Sequence, residues 1–238
     1  MDRLAIINNL PGALGDYCFG RIAGYFNRDF EVQRIDTLEA ELPRVVADWA
    51  RERRVAGAVI DGALESPLDD FEWIRGLERF IREYVETGLP LLGICFGHEV
   101  MASALGGVLE RKGPDLTVEE RVMAVPEEDG LFRGLGGRTR QVVSHSVQVV
   151  KAPAGFLVSA RTPDCPVQAM RHGLKPVYGV QFHPEMDRGI KIPDPSWNPL
   201  SDIQLDGHDG PVVMKNFLKI VKEQQSVISE QQSVNSNQ

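Results

Sequence analysis

Nowhere among the 238 residues do eighteen apolar ones follow one another, and the apolar run nearest the start, residues 4–7, is too brief for the core of a secretory signal. A membrane-spanning helix is excluded, and a soluble, cytoplasmic protein is expected. Cysteine is scarce. Cys18, Cys95 and Cys165 form an odd, widely spaced set without a CxxC pair, so neither a disulfide framework nor a zinc site is indicated. Basic charge is also lacking: 26 Lys and Arg against 34 Asp and Glu leave a net charge of −8, which gives nucleic acid and anionic membranes little to bind. The glycine-rich segments 12–15 and 134–137 fail the GxGxxG spacing, and no GxxxxGK[ST] occurs, so no nucleotide and no other cofactor is expected. There is no internal repeat. What remains is ordinary globular composition, 42% hydrophobic and 25% charged, long enough for one large domain or two small ones.

Short apolar runs with helical patterns between them fill the first half. Runs at 4–7, 30–35 and 56–60 read as strands, with a glycine-punctuated stretch after the first and a helix over 43–53. This alternation predicts an α/β fold with a mostly parallel central sheet flanked by helices. A further helix is expected with Asp69 or Asp70 as its cap and Phe71, Ile74, Leu77, Ile81, Tyr84 and Val85 on one face, ended by Gly88 and Pro90. Residues 91–94 read as a buried strand and 97–105 as the helix after it. Beyond Gly107 the texture changes to β-like runs at 118–125, 141–150, 156–160, 167–170 and 177–182, which adds antiparallel strands. Residues 186–210, with Pro193, Pro195 and Pro199, form a long irregular stretch of the kind that often gates a site. Asp209, Gly210 and Pro211 open a last helix. The polar residues 225–238 have nothing to bury and are expected to be a disordered tail behind a single domain, 1–224.

The chemistry is concentrated at Gly93-Ile94-Cys95-Phe96-Gly97, a G-x-C-x-G segment between a predicted strand and helix. This is the thiol counterpart of a nucleophile elbow, in which a sharp turn lifts the nucleophile from the sheet and aims the next N–H at a developing oxyanion. The helix N-terminus favours a thiolate. A thiol nucleophile needs a base, and His183 ends the run 177–182, followed by Pro184 and Glu185. On an extended segment residues two apart share a side, so Glu185 can hold the His183 imidazole.

These residues carry a family resemblance. The segment 90–99 with Leu105-Gly106-Gly107, and the segment Tyr178-Gly179-Val180-Gln181-Phe182-His183-Pro184-Glu185, resemble the nucleophile and His-Pro-Glu segments of class I glutamine amidotransferases. Within that family the segments look like those of the glutaminase domains of GMP synthases, and γ-glutamyl peptidases share the fold. The resemblance spans about residues 56–185 with the final helix, and two motifs about ninety residues apart in the right order make coincidence implausible. It implies a flavodoxin-like glutamine amidotransferase fold and a catalytic Cys95, His183 and Glu185. It also implies an oxyanion hole from Phe96 and the Gly62–Ala63 loop, and substrate contacts from Ser144, His145 and Glu99. Departures stand at Ala63 and Leu64, where the family has glycine and proline, at Ser146 and Val147, where it has glycine and aspartate, and at Glu99, where many members have glutamine. A carboxylate at 99 can pair with an ammonium group.

The reaction implied is hydrolysis of glutamine, or another γ-glutamyl amide, through a Cys95 thioester. Three functions follow: a stand-alone γ-glutamyl peptide hydrolase, a glutaminase that passes ammonia to a separate synthetase subunit, or an inactive binding protein, against which the complete Cys95, His183 and Glu185 set argues. The motifs occupy a single α/β unit and leave no room for a synthetase domain. Other polar residues read more plainly. His98 is expected to bond locally, His172 to sit in a solvated turn, and Cys18 and Cys165 to pack. Asp206, His208 and Asp209 read as a turn and helix cap rather than a metal cluster, and Trp197 as a packing anchor or part of a partner surface.

Overall fold

The structure is a computed structural model that describes residues 1–113, 119–186 and 208–236, the last six of these by backbone alone. The first half alternates as expected: β1 (Arg3–Asn9), α1 (Gly12–Ala23), β2 (Glu31–Asp36), α2 (Val46–Glu52), β3 (Val55–Ala63), α3 (Glu72–Glu86), β4 (Leu91–Ile94) and α4 (Phe96–Ala104). The second half is strand-rich: β5 (Val108–Arg111), β6 (Glu119–Ala124), a 3-10 turn at Gly130–Phe132, β7 (Arg138–Val143), β8 (Val147–Lys151), β9 (Phe156–Thr162), β10 (Cys165–His172) and β11 (Val177–Val180), before α5 (Gly210–Ser236). Seven strands form the central sheet in the order β2-β1-β3-β4-β11-β10-β9. The first five are mutually parallel, and β10 runs antiparallel to both of its neighbours, β11 and β9. Two antiparallel pairs, β5 with β8 and β6 with β7, stand apart from it.

Alternation along β1 explains why helices cover both faces. Leu4 and Ile6 point into one buried cluster, with Ile22 of α1, Phe26 from the turn after it, and Val213, Phe217 and Val221 from α5. Ala5 and Ile7 point into the other, shared with Val46 of α2, Ile74, Leu77 and Phe80 of α3, and Val100 and Met101 of α4. The apolar stripe of α3 is fully buried there, so truncating Phe80 to alanine removes contacts worth about 3–5 kcal/mol.

Several local expectations are corrected. Neither Asp69 nor Asp70 caps α3; its N-cap is Phe71, without a side-chain cap. The Asp69 carboxylate instead accepts from Ser66 N at 2.9 Å and from Arg111 at 2.6 Å, while Asp70 pairs with Arg75. The glycine-punctuated stretch is a helix, α1, in which a Cβ on Gly15 would lie 2.2 Å from the Leu10 carbonyl oxygen. The run 141–150 is broken at 144–146 into two strands belonging to different pairs. The polar tail expected to lack order is instead helical through Ser236, with the Ser226 and Ser229 hydroxyls donating to the carbonyls of Lys222 and Gln225. Glu, Gln and Ser are adequate helix formers once a packed segment has nucleated the helix before them. Val118, Trp197, Asp206 and residues 187–207 of the irregular stretch lie outside the described residues.

Candidate active site

Strands β3, β4 and β11 all deliver their carboxyl ends to one side of the sheet, where open parallel sheets bind ligands. A cavity of about 150 Å³ opens there. Cys95 follows β4 directly and has φ 50° and ψ −107°, a left-handed conformation uncommon for a side-chain-bearing residue. Its N–H donates to Val180 O at 2.8 Å, tying the turn to β11. The flanking glycines are required by close approach. A Cβ on Gly93 would lie 2.5 Å from Gly97 O, and one on Gly97 would lie 2.2 Å from Ile60 O. The Cys95 thiol is buried and donates to Ser144 O at 3.5 Å. Phe96 is the first residue of α4, where an N–H has no partner within the helix.

His183 arrives just past β11, its N–H held by Val142 O at 2.8 Å. Its Nδ1 donates to Glu185 Oε1 at 2.7 Å, and both side chains are buried. The two meet across a turn rather than along an extended strand. Burial alone would lower the imidazole pKa, but the Glu185 carboxylate and the Cys95 sulfur overcome it and hold His183 well above its ordinary value. Burial pushes the Cys95 thiol up by more than the His183 charge pulls it down. Each shift depends on the charge of the other group, so the thiol and the imidazole exchange their proton as a pair.

The remaining expected residues line the same cavity. Ser144 and His145 occupy the break between β7 and β8; the Ser144 hydroxyl is buried with no partner among the described residues. His145 Nδ1 bonds Val147 O at 2.7 Å, and burial lowers its pKa to about 4, so it is neutral. Glu99 accepts from Gln181 Nε2 at 2.7 Å, yet burial outweighs that bond and raises its pKa to about 8. Gly62 and Ala63 also line the cavity, but the Gly62 N–H, expected to face an oxyanion, donates at 2.7 Å to Asp61 Oδ1.

Other residues turn out differently from their sequence reading. Cys18, expected only to pack, lines the cavity from α1, and Leu10, Leu14, Arg111 and Asp61 line it too. Asp61 was legible only as the residue before the loop glycine; its burial beside Glu185 is a property of the fold. His98 points away, with Nε2 at 3.1 Å from Val167 O and burial lowering its pKa to about 3. His172 ends β10, and its Nδ1 accepts from Leu174 N and Lys175 N at 3.0 Å in the bend that follows. Asp209 directly precedes α5, its backbone oxygen accepting from Val212 N and Val213 N and its carboxylate from Arg140 N at 2.7 Å.

A family model described as glutamine amidotransferase class I matches residues 23–195. One subunit of the glutamine-hydrolysing GMP synthase of Methanosarcina barkeri is 46% identical over 112 residues, which cover 46% of this chain and 58% of that protein. The matched segment thus spans little more than half the length of that relative. The corresponding subunit from Methanopyrus kandleri is 32% identical over 170 residues, covering 71% of this chain and 78% of that one. Among solved structures, a glutamine amidotransferase from Thermotoga maritima superimposes with a TM-score of 0.64 at 17% identity, covering 95% of this chain and 94% of that one. The parallel sheet with its antiparallel edge and the match over residues 23–195 agree: this chain belongs to the class I glutamine amidotransferase family.

Proposed function

We propose that this chain is a glutaminase that hydrolyses the side-chain amide of glutamine through a thioester on Cys95, with His183 as the base and acid and Glu185 as the residue that orients it. The observation that carries this reading is the left-handed Cys95 at the mouth of α4, in one cavity with the bonded His183–Glu185 pair. The names of the M. barkeri and M. kandleri relatives support it.

The thiol gives its proton to His183 Nε2, and the thiolate attacks the γ-carbonyl carbon. The N–H groups of Phe96 and Ala63 receive the oxyanion, while Gly62, whose N–H is engaged by Asp61, shapes the loop. The imidazolium then gives its proton to the departing nitrogen, releasing ammonia and leaving the γ-glutamyl thioester. Water attacks the thioester as His183 takes its proton, and glutamate leaves with the thiol restored. Ser144 and His145 hold the amino-acid end of the substrate, and Glu99 faces its ammonium group. The ammonia passes to a synthetase subunit, and residues 1–224 act as one domain. Three unpaired cysteines suit the reducing cytoplasm.

A second reading, hydrolysis of γ-glutamyl peptides without a partner, is favoured by one observation, the ionisable Glu99 in the cavity wall. The test compares ammonia release from glutamine with cleavage of γ-glutamyl dipeptides by the purified chain, alone and with a synthetase subunit. Mass spectrometry after a glutamine-analogue alkylator is expected to place the adduct on Cys95, with Cys95→Ser and His183→Ala inactive. An adduct elsewhere, or retained turnover in either variant, ends the thioester mechanism.

A further inference from the structure

The cavity holds a buried carboxyl group for which the proposed reaction has no use. Asp61 is 1% exposed, at the end of β3, and its Oδ1 accepts from Gly62 N at 2.7 Å. Its other oxygen, Oδ2, has no hydrogen-bond partner among the described residues, and neither does Glu185 Oε2. Both groups line the cavity, and a Cβ on Gly62 would lie 3.8 Å from His183 Cε1, so the loop that Asp61 holds lies against the imidazole. Two carboxylates facing one histidine away from water cannot both ionise cheaply.

We propose that Asp61 is a positioning residue for the His183–Glu185 pair: one oxygen pins the Gly62 loop, and the other sets the negative charge that the imidazole feels. This role rests on the glutaminase reading above for its purpose, though not for its physics. Burial and then the Glu185 charge raise the Asp61 pKa to about 7, against the pull of Gly62 N–H and the His183 charge. Below that value Asp61 is neutral and Glu185 alone faces the imidazole. Above it Asp61 is ionised, and a second negative charge stabilises the imidazolium where that ion would otherwise be losing its proton. The ionisable groups that face Asp61 and the imidazole are Glu185 from the segment after β11, Cys18 from α1, Cys95 and Glu99 at the start of α4, and His145 from the break between β7 and β8. The Cys18 thiol, its pKa raised by burial and then by the Asp61 and Glu185 charges, stays neutral throughout. Arg21 of α1 also approaches, its Nε donating to the Glu185 backbone oxygen at 3.5 Å. The device widens the pH range over which an imidazolium can stand beside a Cys95 thiolate.

The test is the rate of Cys95 alkylation by iodoacetamide against pH, read by peptide mass spectrometry in the wild type and in Asp61→Asn, which keeps the acceptor for Gly62 N–H. The imidazolium-dependent component is expected to coincide in the two proteins below pH about 6. In the variant it should fall about one pH unit earlier on the alkaline side, because the charge that sustained it is gone. Superimposable profiles overturn the proposal, as does a variant that differs only by a uniform loss at every pH, which is the mark of a purely structural role. Should the variant not fold, NMR titration of the His183 ring in the wild type decides. A His183 inflection that coincides with the titration of the Asp61 carboxyl carbon, followed in the same samples, supports the proposal, and its absence overturns it. Alkylation needs no substrate, so a shifted profile in a chain that does not cleave glutamine would sink the glutaminase reading and leave this one standing.

Discussion

Gly97 sits so close to Ile60 that a Cβ built on it would lie 2.2 Å from the Ile60 carbonyl oxygen. The first turn of α4 is therefore seated directly on β3, and that contact holds the Cys95 turn at the head of the sheet. Gly97→Ala must push a backbone carbonyl or the helix itself, since no flexible side chain can yield. The expected cost is about 1–3 kcal/mol of stability, with slower alkylation of Cys95 as the elbow shifts. Urea unfolding of the variant checks this, and an unchanged midpoint with unchanged thiol reactivity would refute the steric account.

Glu99 makes the molecule pH-sensitive in a direction opposite to that of a salt-bridged acid. Its pKa rises from 4.5 to about 8, mainly through burial. The folded state therefore holds its proton where the unfolded chain has released it, and stability falls as pH rises through that window. Glu99→Gln keeps an oxygen to accept from Gln181 and removes the charge. The variant is expected to match the wild type at pH 4.5, near the ordinary value of the group, and to exceed it by about 1–3 kcal/mol at pH 8.5, because Asp61, which titrates in the same sense, is present in both proteins. Chemical denaturation at the two pH values measures the difference. Equal stability at both would show that burial does not hold the proton on Glu99.

Where a sequence pattern encodes a backbone constraint, the structure could be read from it. Gly93 and Gly97 around Cys95 announce a turn that only glycines allow, and the turn is there. The alternating first half gave the parallel sheet, and His183 with Glu185 gave the bonded pair. Features that depend on meetings between distant segments were not legible. Gly12, Gly15 and Gly20 lower helix propensity and hid α1, although Gly15 is demanded by its contact with Leu10. The run 141–150 is β-favourable throughout, so nothing local marked the break at Ser144 that places its carbonyl against the thiol. Asp61 and Glu185 are far apart in sequence, and only the fold makes their charges neighbours.

The break at Ser144 carries a last consequence for binding. Its carbonyl accepts from the Cys95 thiol, which any residue at that position can supply, while the residue lines the cavity and its buried hydroxyl has no partner among the described residues. A buried hydroxyl in that condition carries a desolvation cost of about 1–3 kcal/mol that a ligand's carboxylate or ammonium group would recover on binding. Ser144→Ala removes the cost and the recovery together while leaving the carbonyl in place. The free protein is expected to be at least as stable as the wild type. If Ser144 holds the amino-acid end of the substrate as proposed, KM for glutamine rises about tenfold with kcat within about twofold, since such a contact is made equally in the ground and transition states. Steady-state kinetics with thermal unfolding of the free enzyme separates these effects. A fall in kcat at constant KM would instead assign the hydroxyl to the chemical step, and an unchanged KM would remove Ser144 from the substrate contacts.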